Sequence, residues 1–230
     1  MRHAVIDEVA PATGGRAEES RRRRSAIVAA AATVLGRQGS AETSMKEIAR
    51  EAGVAPGLLH YYFESKDDLL VAVVTELDRR LSDAWASSLH GMNDPLERLV
   101  AGLDAVASHC ARHPETWRAL SDLGLLSLSA PALVEPCRAL RARLAAAIEA
   151  EVRGALGQLP AYTLVAPRDL SRAIAATIEG AATSALVEGR ESSAEFRALK
   201  VMLLSLVVTA HVTAGQEPPI ARLAELLRGH

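Results

Sequence analysis

The stretch Thr43-Ser44-Met45-Lys46-Glu47-Ile48-Ala49-Arg50-Glu51-Ala52-Gly53-Val54-Ala55-Pro56-Gly57-Leu58-Leu59-His60-Tyr61-Tyr62-Phe63-Glu64-Ser65-Lys66-Asp67-Asp68-Leu69-Leu70 decides how this chain folds. Ser44 and Glu47 have the spacing of a capping box, in which the hydroxyl accepts from the Glu47 amide and the carboxylate reaches back, so a short helix is predicted over 45–51. Ala52-Gly53-Val54 breaks it. Pro56 suits the first turn of a third helix, 56–63, because an amide hydrogen there would have no helical partner. Ser65, followed by Asp67 and Asp68, caps a long fourth helix reaching about Leu89. One face of it is marked by Leu70, Val73, Val74, Leu77, Leu81 and Trp85. Two short helices joined by a glycine turn behind a longer first helix form the arrangement that lets a second helix enter a major groove; a plain three-helix core fragment is the alternative.

Outward from that stretch, Ile27, Ala31, Val34 and Leu35 trace the first helix, which closes near Gly36 to Gly39. Downstream, Asp94-Pro95-Leu96-Glu97 opens a helix ending near His113-Pro114, and Trp117, Leu120 and Leu123 mark the next. A longer one after Pro131 and Pro136 runs towards Val152, followed by a loop with Gly157 and Pro160. Further helices are predicted from Pro167 to about Glu188, from the box Ser192-x-x-Glu195 to about Thr213, and around Ile220 to Leu227. With no strand pattern and no internal repeat, the fold class is all-α. The expected domains are a disordered tail over 1–19, a helix-turn-helix domain over 20–65 and a larger helical domain over 66–230.

Charge is unevenly distributed along the 230 residues, whose net formal charge is −2. Residues 20–66 carry eight Lys or Arg against four Asp or Glu, whereas residues 1–19 carry two against four and the remainder is four negative. A small basic module therefore sits on an acidic body. Cys110 and Cys137 are too few for a disulfide framework, and the apolar run Val201 to Val212 is short for a membrane span, so a cytoplasmic, membrane-free protein is expected. The first residues lack an apolar stretch long enough for a secretory signal.

The quoted stretch resembles the DNA-binding signature of the tetracycline-repressor (TetR) family, over about Arg24 to Val74. The resemblance implies a homodimeric transcriptional regulator, most often a repressor released from a palindromic operator by a small-molecule effector, with double-stranded DNA as its partner and no catalytic role or cofactor. Ile48, Ala49, Val54, Leu59 and Phe63 would then be core. Thr43, Ser44, Lys46 and Tyr62 would hold phosphates, Lys66 would clamp the backbone on the far side, and Pro56, Gly57, Leu58, His60 and Tyr61 would lie against the groove. Arg21 to Arg24, with Arg23 and Arg24 nearest the first helix, would form an arm neutralising phosphates or entering a minor groove. The chain departs from the family pattern at Ala55, where a capping Ser is usual, and at His60, where Tyr is usual. Losing that cap costs about 1 kcal/mol.

The family also implies that the last two long helices form a two-fold interface. Ile174, Ile178, Ala181 and Ala185 in one, with Leu199, Leu203 and Leu206 in the next, supply apolar stripes for it. The middle helices, about Leu96 to Val152, would enclose an effector pocket, for which Trp85, His109, Cys110, Trp117 and Ser121 are the candidates. His109 and His113 are spaced for one face of a helix, with Cys110 beside them, but lack a third and fourth ligand, so no metal site is expected. No nucleophile elbow, glycine-rich phosphate loop or paired-carboxylate setting points to an enzyme. An all-helical adaptor without DNA binding is the competing class.

Overall fold

A computed structural model describes residues 13–157 and 165–228, which form ten helices. They are α1 (Thr13–Glu42), α2 (Met45–Glu51), α3 (Pro56–Tyr62), α4 (Lys66–Ser88), α5 (Pro95–Arg112), α6 (Pro114–Leu126), α7 (Pro131–Leu156), α8 (Pro167–Glu188), α9 (Ser193–Thr213) and α10 (Ile220–Arg228). No strand occurs among the described residues. The caps explain most of the boundaries. The Ser44–Glu47 box is formed in both directions, Ser65 accepts from the Asp68 amide, and Asp94 accepts from the Leu96 amide behind Pro95.

Three expectations are corrected. The helix α1 begins at Thr13, so residues 13–19 of the expected tail are helical; Glu18–Arg22 and Glu19–Arg23 pairs at i,i+4 support those turns, and residues 1–12 lie outside the described residues. The Ser192 side chain makes no cap, because Glu195 is drawn to Arg190 instead of reaching back to the cap backbone. Finally, α7 starts at Pro131 and carries Pro136 inside it, which costs one helical hydrogen bond near the helix start rather than a break. The loop expected at Pro160 lies outside the described residues.

Two main cores share the molecule. The first packs Ile27, Leu35, Ile48, Leu59, Phe63, Leu70 and Leu77 together with Ala119 and Leu123 of α6 and Leu133 and Cys137 of α7. Packing thus runs straight across the boundary expected at residue 65, since α6 and α7 complete the core beneath the small helices. The second core lies among α5 to α9, around Leu103, Trp117, Ile148, Ile178 and Phe196. Polar ties fix the helices around it: Arg98 of α5 grips the buried Glu151 of α7 with two 2.8 Å bonds, Arg141 of α7 reaches Glu179 of α8, and Lys200 of α9 reaches Asp104 of α5. A buried carboxylate held at both oxygens by a guanidinium fixes geometry as well as energy.

Candidate nucleic-acid interface and neighbouring cavity

The short helices α2 and α3 are anchored from below by Ile48, Ala49, Leu59 and Phe63, all essentially inaccessible to solvent. Their outer face carries Lys46, Pro56, Gly57, His60 and Tyr61, all exposed, with Leu58 half-buried at its edge. Tyr61 is 77% exposed, an unusual position for an aromatic with only packing to do. Its ring stands edge-on to Tyr62, centroids 5.1 Å apart at 84°. A Cβ added at Gly57 would meet nothing within 4 Å, so that glycine is not needed for packing within the subunit. The N-cap of α3 is Ala55, and no side chain caps it.

Other residues expected to contact DNA are engaged elsewhere. Thr43 is buried, and its hydroxyl donates to the Gly39 carbonyl at 2.6 Å. Lys66 folds back so that Nζ donates to the Ser40 carbonyl at 2.7 Å. The Ser44 hydroxyl and amide both meet Glu47, whose carboxyl is held below the usual carboxylate range by those bonds and by Gln38. Tyr62 is half-buried, with Ser20 of α1 against its hydroxyl at 3.5 Å. The arginine arm is helical rather than extended: Arg23 pairs with Glu19, and the Arg24 guanidinium lies 4.8 Å over the Phe63 ring. The Ser44–Glu47 bonds were legible as a capping box, whereas the partners of Thr43 and Lys66 depend on where α1 breaks.

That break falls where the first helix was expected to close, and its contacts with α4 and α6 make it a junction. Gly39 has φ 80° and ψ 172°, a conformation that L side chains rarely adopt. It turns the chain so that Ser40 exposes its amide to Asp122 of α6, at 2.6 Å, and its carbonyl to Lys66 of α4. One turn earlier, Gly36 lets α1 touch α6: a Cβ there would lie 2.6 Å from the Glu115 carbonyl oxygen. Arg118 of α6 adds a 2.9 Å bond to the Arg37 carbonyl, and Arg37 in turn reaches Glu51 at the end of α2. The spacing Gly36-x-x-Gly39 was the available signal for a close helix crossing.

Behind the junction, α4, α5, α6 and α7 enclose a cavity of about 280 Å³. Trp85, His109 and Trp117, three of the five expected pocket residues, line it together with Leu81, Val106 and Leu144. Ser121 lines an adjoining cavity of about 170 Å³ that shares Trp117 as its wall. Cys110 does not join them: it faces α8 in the core, and burial pushes its thiol up to about 12, which makes it an inert core side chain. The Trp117 indole donates to His109 Nδ1 at 3.2 Å, which selects the tautomer with its proton on Nε2. Burial, then the neighbouring His113 and Arg112, lowers the His109 pKa, so the ring is neutral at pH 7. The His109 and His113 rings are 4.8 Å apart, and among the described residues no group of three His, Cys, Asp or Glu side chains is placed to hold a metal ion.

The expected interface stripe is turned inward. Ile174, Ile178, Ala181, Ala185, Leu199 and Leu203 are all buried within the subunit, and only Leu206 is partly open. The most apolar stripe of each helix went to its own core. The opposite stripes face out: Ala173, Ala176, Thr177, Gly180 and Val187 on α8, and Val201, Met202, Ser205, Thr209 and Val212 on α9. By length and composition α9 is apolar enough to cross a membrane, yet a third of its most apolar window is buried inside the subunit.

Residues 27–73 match the family described as bacterial regulatory proteins, tetR family. The chain is 43% identical over 68 residues to the HTH-type transcriptional regulator BetI of Rhizobium meliloti (strain 1021), a match covering 30% of this chain and 34% of that protein. This chain therefore matches about a third of the length of its curated relatives. Over the whole fold it is similar to a TetR-family regulator from Rhodococcus sp., with a TM-score of 0.70 at 22% identity, covering 82% of this chain and 98% of that one. A transcriptional regulator from Saccharomonospora viridis, solved in complex with choline, matches with a TM-score of 0.69 at 22% identity, covering 81% and 96% of the two chains.

Proposed function

Because residues 27–73 match the tetR family of bacterial regulatory proteins, we propose that this chain is a homodimeric repressor that reads a palindromic operator and leaves it when a small molecule fills the cavity between α4 and α7. The observation that carries the reading is the exposed face of α2 and α3, where Lys46, Gly57, His60 and Tyr61 present charge, close backbone approach and two polar rings above a buried core. His60 and Tyr61 read bases or phosphates, Gly57 and Leu58 let α3 approach base edges, and Lys46 neutralises a phosphate. Thr43 and Lys66 hold the module together from behind. Tyr62 and Arg24 steady its contact with α1.

A single module of this size binds weakly, so two copies spaced for successive major grooves are needed. The outward stripes of α8 and α9 supply that contact. Their small residues permit close helix approach, and Val201, Met202 and Val212 supply apolar area. The effector reading is supported by the cavity itself and by the neighbour that carries choline. Filling the cavity would press on Trp117 and Trp85, and so displace α6 and α4, the two helices whose Asp122 and Lys66 grip Ser40. A ligand acts this way only through its differential affinity for the two arrangements, about 1–3 kcal/mol for an ordinary coupling.

Selection of bound sites from a random double-stranded DNA pool, followed by titration at two salt concentrations, tests the reading. A palindromic site with a steep salt slope, lost in Tyr61→Ala together with His60→Ala, is the expected result. Absence of any enriched site would instead favour a helical adaptor.

A further inference from the structure

We propose that the cavity is built for a monocationic amphiphile whose charged head takes the place of the Arg143 guanidinium on Asp78; this rests on the effector reading above. Asp78 is a buried carboxylate on α4, lining the cavity, and Arg143 of α7 pairs with it. The two partners are unequally placed. The Asp78 side chain is 12% exposed, whereas that of Arg143 is 55% exposed. Arg143 can therefore swing into water with little loss, but Asp78 cannot be left without a positive partner, since an uncompensated buried charge is strongly destabilising. A ligand carboxylate competing for Arg143 would strand Asp78. A ligand ammonium competing for Asp78 strands nothing.

The remaining walls suit the body of such a molecule. Leu81, Ser82 and Trp85 follow Asp78 along one side of α4, and the seven residue steps from Asp78 to Trp85 span about 10 Å of helix. Val106, Leu144 and Ala147 line the cavity with them, and Trp117 and His109 add an aromatic wall. Neutral His109 places no second cation in the cavity. Arg143 also lines a groove between α1 and α4 that contains Arg21, Arg24, Asp68 and Glu76. Glu76 there is already held by Arg79 and Arg80, so a displaced guanidinium meets Asp68 and open water.

Trp85 and Trp117 are the two tryptophans of the chain and both line the cavity, so intrinsic emission of the full-length protein reports occupancy directly. The probes are octylammonium, octanoate and 1-octanol, which share a tail and differ in head charge. Octylammonium should bind about tenfold tighter than either of the others. In Asp78→Asn its affinity should fall to that of octanol. In Arg143→Gln it should rise several-fold, a gain that misfolding cannot mimic. The proposal is overturned if octanoate binds best, if the preference survives in Asp78→Asn, or if no probe changes the emission. Release of a selected DNA site is followed separately: binding without release overturns the effector reading and leaves the cationic site standing.

Discussion

The Asp122 carboxylate of α6 accepts a 2.6 Å hydrogen bond from the Ser40 amide, at the point where α1 breaks. The helix that walls the cavity through Trp117 thus also holds the backbone leading into α2. Asp122→Ala leaves that amide, in a buried residue, without its acceptor. We expect a stability loss of about 1–3 kcal/mol in urea denaturation, together with weaker coupling between cavity occupancy and DNA release. A variant that released DNA as the parent does, at equal occupancy, would place the coupling elsewhere.

Gly36 and Gly57 should answer the same substitution with opposite results. A Cβ at Gly36 falls 2.6 Å from the Glu115 carbonyl, so Gly36→Ala must push α1 from α6, at about 1–3 kcal/mol. Gly57→Ala meets open space and exchanges a poor helix former for a good one, so thermal stability should hold or rise by up to about 1 kcal/mol while DNA affinity falls. Thermal melts and DNA titrations on the two proteins separate a packing glycine from a recognition glycine.

Tyr61 and Lys66 divide similarly. Tyr61→Ala removes an exposed ring and should reduce DNA affinity about tenfold with an unchanged denaturation midpoint. Lys66→Met removes the Nζ bond to the Ser40 carbonyl and should lower the midpoint first, with DNA binding failing as a consequence. Equal midpoints for Lys66→Met and the parent would return Lys66 to the role of phosphate clamp.

His109 gives the fold a defined pH response. Its folded pKa is lowered, so as pH falls the unfolded chain takes up the proton first. The stability it contributes is complete above the ordinary histidine pKa of about 6.5 and is lost as pH drops through the lower folded value. Urea midpoints should therefore fall between pH 7.5 and pH 5.5, and fall less in His109→Gln.

The two faces of α9 predict distinct failures. Met202→Asp on the outward stripe should convert a dimer to monomers in sedimentation without unfolding them. Leu203→Ala, one residue along and buried, should cost about 2–5 kcal/mol of stability. If Met202→Asp sedimented as the parent does, the two-fold contact would lie on another surface.

The helix order was legible because its signals are local. Capping serines, N-terminal prolines and glycine stops act within a few residues, and the Ser44–Glu47 box and the Asp94-Pro95 start formed as read. The face of each helix was less legible. Hydrophobic strength singled out Ile174, Ile178, Leu199 and Leu203, which the subunit keeps for itself, while a stripe of Ala, Gly, Thr and Ser was left facing out. The same holds for Ser192 and Glu195, where Arg190 outcompeted the cap, and for Thr43 and Lys66, whose partners exist only once Gly39 has turned the chain. Trp85 and Trp117 line the cavity because large aromatics on inward helix faces have few other places to go.

The core that Leu59 and Phe63 share with Ala119, Leu123, Leu133 and Cys137 also bears on how such a molecule can be rebuilt. The two helical parts are not beads on a string. A hybrid spliced at residue 65 would carry over α2 and α3 without the floor they stand on. A workable graft must move Gly36, Gly39 and the α6 surface that meets them as one heirloom, so that recombination exchanges contacts across a three-dimensional seam rather than segments of sequence.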